Sequence, residues 1–206
     1  MTASTWAALL GACLLISLTP GAGAINTMNN ALNVGFRRAI WGILGQQLAL
    51  LIQLVIVALG LGLVVTNSPT AFAVIRNVGA AYLVYLGVKQ IRAKPTAADG
   101  EQTAAIDDGA WSMFTRGVWV NLLNPKAIVF LVAFIPGFVR SDGAVALQYT
   151  EIGATIVVVD LIIMWLFFAL VGRTFRRVTG TPRGQRRLNI FFGVLFIGVG
   201  LMLVFL

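Results

Sequence analysis

Two stretches, Leu18-Thr19-Pro20-Gly21-Ala22-Gly23 and Leu123-Asn124-Pro125-Lys126-Ala127, decide how this chain is read. Each lies at the middle of a long apolar window, residues 6–33 and 112–139. A membrane span needs about 20 mostly apolar residues, so each window is long enough to cross, and each is interrupted at its centre. Proline is favoured at the first position of a helix, and Thr19 and Asn124 are N-cap residue types. Both stretches therefore predict a helix that restarts at mid-depth, at Pro20 and at Pro125.

Working outward, four more apolar windows follow the same rule: 39–64, 70–92, 146–171 and 188–206. Hydrophobic residues make up 59% of the 206 residues and charged residues 11%, against roughly 25% charged in a soluble domain. So little polar surface could not cover a soluble core. The windows are rich in Leu, Ile, Val, Phe and Ala without strict alternation, so helices are expected rather than a barrel. The expected fold is an all-α, polytopic membrane protein of six spans, with the first and fourth broken at Pro20 and Pro125. There is no histidine and Cys13 is alone, which excludes His-based metal sites, His triads and an internal disulfide.

The basic residues map the orientation. Arg37 and Arg38 lie between spans one and two. Lys89, Arg92, Lys94 and Arg116 flank the connection between three and four, and Arg173, Arg176, Arg177, Arg183, Arg186 and Arg187 lie between five and six. Twelve of the fifteen cations thus fall on alternate connections. The opposite connections are poor in charge: 65–69 has none, and 140–145 has Arg140 with Asp142. By the positive-inside rule the basic connections are cytoplasmic, so both termini face outward. The formal charge of +8 is then a topology signal, and no soluble module presents it to nucleic acid. Residues 6–18 with Ala22-Gly23-Ala24 resemble a signal peptide, but the first five residues lack the Lys or Arg of an n-region, so they are read as part of a span.

The long polar stretch around Lys94, Pro95, Asp99, Glu101, Asp107 and Asp108 divides the chain. The expected organisation is a three-helix repeat over 1–92, a cytoplasmic linker over 93–111 and a second repeat over 112–206. Three spans is an odd number, so the second repeat sits upside down relative to the first, the geometry of an inverted-repeat transporter. The half-helices beginning at Pro20 and Pro125 then converge near the midplane, each offering a partial positive charge and unpaired N–H groups. That favours an anion such as a substrate carboxylate.

Polar residues inside the spans extend this reading. Asn26, Asn29, Asn30 and Asn33 form one helical stripe, read either as a pathway lining or as interhelical glue, with Asn33 as a helix end. Lys126 lies about 14 residues from either end of its window, too far to snorkel, and Asp160 sits at the middle of span five. Ionisable groups at that depth are functional by default; either they pair with each other, or proton or substrate binding competes for that pairing. Gln46, Gln47, Gln53 and Tyr82 are weaker pathway candidates. Trp6, Trp41 and Trp111 read as interfacial anchors. Gly60, Gly62, Gly79, Gly193, Gly198 and Gly200 read as close-packing positions. No catalytic or nucleotide-binding motif is present, and no cofactor or metal is implied.

The blocks Ser17–Met28, Asn121–Phe130, Gly79–Gly87 and Val157–Ile163 resemble the LysE/RhtB amino-acid exporter family, in family order and over nearly the whole chain. The Gly-Ala-Ile-Asn-Thr-Met run and Val-Val-Asp are most similar to the homoserine, homoserine-lactone and threonine efflux branch. The resemblance implies proton-driven efflux across a bacterial inner membrane. Many relatives carry Pro-Gly-Pro where this chain has Pro20-Gly21-Ala22, and often Asp or Asn where it has Gly23, so the family resemblance by itself does not imply a cationic substrate.

The expected activity is secondary export of small neutral amino acids or derivatives, not enzymatic chemistry; the alternative is a passive channel along the same polar path. The substrate site is expected at Pro20, Gly21, Ala22, Asn26, Asn29, Asn30, Asn124, Pro125 and Lys126, with Asp160 coupling protons and Gln46, Gln53 and Tyr82 lining the path. The partners are the amino acid, protons and the lipid bilayer, and the glycine-rich spans permit a homodimer without demanding one.

Overall fold

A computed structural model describes residues 3–67, 69–93, 109–139, 144–170 and 181–205, with the side chains of 61–67, 69, 71–72, 75–76 and 202–205 left out. Most of the expected linker, residues 140–143 of the 140–145 connection, and Arg173, Arg176 and Arg177 lie outside the described residues, and of Gly62 and Arg76 only the backbone is described. Every described element is helical. They are α1 (Ala3–Leu18), α2 (Ala22–Val34), α3 (Ile40–Asn67), α4 (Pro69–Arg92), α5 (Ala110–Leu122), α6 (Pro125–Phe138), α7 (Val145–Ala169) and α8 (Pro182–Phe205).

α3 and α7 are each long and apolar enough to cross a bilayer. The pairs α1–α2 and α5–α6 meet that test together, bent by 57° and 52° at their breaks. α6 opens as a short α-turn, loosens to a π stretch over Phe130–Phe134 and ends as a 3-10 turn over Ile135–Phe138. A second π stretch, Ile163–Ala169, closes α7. α2 ends at Gly35, whose φ of 90° suits a residue without Cβ.

The burial pattern inverts that of a soluble protein. Leu44, Leu48, Leu51, Ile52, Val55, Ile56 and Leu59 expose one face of α3, while Gln46, Gln47 and Gln53 of the same helix are buried. Asn121, Asn124, Gln148 and Asp160 are buried too. Apolar side chains face outward because hydrocarbon accepts them, and polar groups turn inward because only the protein can meet their hydrogen bonds. Trp6, Trp41 and Trp111 are exposed, in keeping with side chains at a lipid–water boundary.

Glycines set the closest approaches. A Cβ at Gly117 of α5 would fall on the Gly42 carbonyl of α3, and one at Gly45 on the Phe114 carbonyl, so the two backbones touch. α4 and α8 meet similarly at Gly87, Gly193 and Gly200, and Gly79 packs on Ala133. Among the described residues no atom comes within 4 Å of where a Cβ would stand on Gly60 or Gly198, which corrects their expected close-packing role. α7 lies along α1 and against α2 and α3.

Candidate functional site

The site grows from the chemistry of proline. In a helix each carbonyl accepts the N–H four residues on, and proline has none. Pro20 therefore leaves Ile16 O without its donor four residues on, and Pro125 removes the same donor from Asn121 O, which keeps the Asn124 N–H at 3.1 Å. In both places a side chain from another part of the bundle supplies one. Lys126 Nζ donates to Ile16 O at 3.0 Å and to Thr19 O at 2.7 Å. Gln53 Nε2 donates to Asn121 O at 3.1 Å and Leu122 O at 3.0 Å. The charged end of Lys126 also complements the negative end of α1.

The two helix starts differ. At the second, Asn124 Oδ1 accepts from Lys126 N at 3.1 Å with Pro125 at the first helical turn, as expected for an N-cap. At the first, α2 begins at Ala22 with Gly21 as its cap and no side-chain bond. The Thr19 hydroxyl donates back to Leu15 O at 2.7 Å, so Thr19 finishes α1 instead of opening α2. That expectation is corrected: the Thr hydroxyl has the preceding turn within reach.

The breaks meet. A Cβ on Gly21 would lie 3.3 Å from Lys126 Cε and Nζ, so the lysine crosses directly over the first break. Around this crossing is a cavity of about 40 Å³ lined in part by Cys13, Ser17, Gly23, Gln46, Asn121, Asn124, Lys126 and Asp160. Asp160 accepts from Ser17 Oγ and from Gln47 Nε2, both at 2.8 Å. Gln46 Nε2 donates to Thr27 Oγ1 at 3.1 Å and Gly23 O at 3.3 Å, while Asn121 Nδ2 donates to Gln46 O at 3.0 Å. Among the described residues no ion pair joins Lys126 to Asp160. The direct pairing offered as one reading of the sequence is replaced by backbone capping for the lysine and neutral donors for the aspartate.

The other candidates divide. Asn124, Lys126, Asp160 and Gln46 line the cavity, and Gln53 braces the second break. Gly21 lies beneath Lys126, and Pro20 is half-buried. Ala22 and Pro125 are exposed, and Gly23 and Ala24 line the cavity instead. Asn26 and Asn30 are buried against Arg116, Asn29 is half-buried and Asn33 is exposed. Tyr82 rests beside Tyr85, with ring centroids 5.9 Å apart, and is not among the residues lining the cavity. Sequence reasoning gave no separate role to Ser17 or Asn121, which stood only within the quoted motifs, and took Arg116 as a topology marker. A helical spacing to Asp160 or Lys126 could not have found them, because the partners come from different helices.

A bent pair of half-helices crossing a second such pair around buried polar groups is the architecture of a membrane translocator. The chain belongs to the LysE type translocator family, which matches residues 14–206, and it is a transporter, not an enzyme. It is 40% identical over 203 residues to the homoserine/homoserine lactone efflux protein of Salmonella typhimurium, covering 98% of this chain and 97% of that one. An uncharacterized membrane protein of Vibrio cholerae is 34% identical, with 98% of each chain covered. The leucine efflux protein of Klebsiella pneumoniae is 26% identical, with 92% of this chain and 89% of that one covered. No solved structure matches the chain.

Proposed function

We propose that the protein is a proton-driven exporter of small neutral amino acids or their derivatives, homoserine, homoserine lactone and threonine-like compounds among them. It acts in a bacterial inner membrane with both termini on the periplasmic side. The names of the relatives from Salmonella and Klebsiella support amino-acid efflux. The observation that carries the reading is the crossing of the two breaks over one polar cavity.

In this reading six spans form two inverted three-helix repeats, 1–92 and 112–206. The packing supports the symmetry: α3 lies along α5 as α7 lies along α1, and α4 along α8. Gln53 comes 33 residues after Pro20, and Asp160 comes 35 after Pro125. Each reaches the end of the first half-helix in the opposite repeat, Gln53 to Asn121 O and Asp160 to Ser17.

The substrate carboxylate, or in the lactone the ester carbonyl oxygen, lies against the start of α2 near Gly21 and the start of α6, with Lys126 adding charge, and Asp160 holds the ammonium group or a coupling proton. A cavity of about 40 Å³ has room for water rather than an amino acid. Substrate therefore enters when one repeat rocks against the other, and the same closure disfavours a standing channel. The test is purified protein in proteoliposomes loaded with homoserine, its lactone, threonine or leucine. Saturable flux with counterflow and acceleration by an imposed pH gradient is expected. Flux that rises linearly with concentration and ignores the gradient would establish the channel instead.

A further inference from the structure

One buried polar cluster lies outside the cavity. Arg116 of α5 reaches across to α2, where its Nε donates to Asn26 Oδ1 at 3.3 Å and its Nη2 to Asn30 Oδ1 at 2.6 Å. Both asparagines are more than nine-tenths buried, at 8% and 2% exposure. Because their oxygens face the guanidinium, their Nδ2 groups are turned away from it, and neither Nδ2 has a hydrogen-bond partner. Both amides face Gly42 of α3: a Cβ there would fall on Asn30 Nδ2 and lie 3.5 Å from Asn26 Nδ2. A glycine at this position leaves the amides their space.

The cluster is built of donors. A guanidinium in a partly desolvated setting binds a carboxylate with strong, directional hydrogen bonds. Two carboxamide N–H groups buried without an acceptor are costly, and a ligand oxygen would relieve that cost. The position fits a route. Asn30 is one turn from the end of α2 and Arg116 two turns from the start of α5, at the end of the bundle taken above as cytoplasmic. Beyond it the polar seam continues through Thr27, Gln46 and Gly23 to the cavity.

We propose that Arg116, Asn26 and Asn30 form an entry subsite that takes the α-carboxylate of the exported amino acid before it reaches the cavity. The inference rests on the export reading and deepens it. Arg116 exchanges its asparagine oxygens for the carboxylate, and the freed amides complete the shell. The subsite is selective by chemistry: homoserine has a carboxylate, whereas its lactone has that group closed into an ester.

The experiment measures half-saturation and maximal rate from the cytoplasmic face, in inside-out vesicles, for homoserine and its lactone. Arg116→Gln is expected to raise the half-saturating homoserine concentration about tenfold or more, leaving that of the lactone within about twofold. Arg116→Lys should recover part of the loss. Asn30→Asp, which keeps Arg116 and seats an internal carboxylate against it, should produce the same split and serves if Arg116→Gln is not recovered in membranes. Equal losses for both compounds in each variant, or unchanged homoserine half-saturation, would overturn the subsite. Wild-type vesicles that move neither compound overturn this subsite, and those that also fail to move threonine and leucine overturn the export reading itself, a result separate from any difference between variants.

Discussion

Ile16 and Asn121 each precede a proline by four residues, and their carbonyls are the points where the membrane makes a missing N–H expensive. The donors that replace it, Lys126 and Gln53, come from distant chain positions. Lys126→Ala should therefore lower unfolding stability in detergent or nanodiscs by about 1–3 kcal/mol. That exceeds the ~0.6 kcal/mol typical of an interhelical bond in a membrane, because the donor is charged and serves two carbonyls. Gln53→Leu should cost less, since Asn121 O retains the Asn124 N–H. Asp160→Asn should remain in the membrane yet lose at least tenfold in export driven by a pH gradient, scored by substrate flux in vesicles; Tyr82→Phe should stay within about twofold of wild type. The sequence made the depth of Lys126 and Asp160 legible, because their distance from any charged flank is a count along the chain. Their partners were not legible: whether the lysine meets an aspartate or a helix end depends on which helix crosses it.

Breaks, caps and close approaches belong to the helices. The bends between α1 and α2 and between α5 and α6 fall beside Pro20 and Pro125, and the Asn124 cap forms as its residue type suggests. Thr19 departs from that pattern because Leu15 O is within reach of its hydroxyl, a competition between two local bonds that composition does not rank. Glycine counts in a sequence do not separate contact from open space, whereas the packed helices do. Gly117→Leu should drive α5 away from the Gly42 carbonyl and cut the yield of folded protein several-fold, measured as monodisperse material after extraction. Gly198→Ala, with open space around it, should leave that yield unchanged. The π stretch in α7 begins three residues after Asp160, and nothing in the apolar run Ile162-Ile163-Met164 announces it.

For the whole molecule, composition and charge distribution were enough to give an all-helical membrane protein, and motif order was enough to give the family. The meeting of the two breaks was an expectation from symmetry alone; the structure supplies the crossing lysine and the cavity beneath it. That cavity is lined by Cys13, the chain's single cysteine, so the wild-type protein carries its own reporter. The direct test is the rate at which a charged, water-soluble methanethiosulfonate modifies Cys13 in proteoliposomes, with and without homoserine. If the crossing forms the substrate path, the reagent reaches Cys13 from both faces as the repeats rock, and homoserine slows the reaction in a saturable way. Modification by lipid-soluble reagents alone, at a rate indifferent to homoserine, would contradict it.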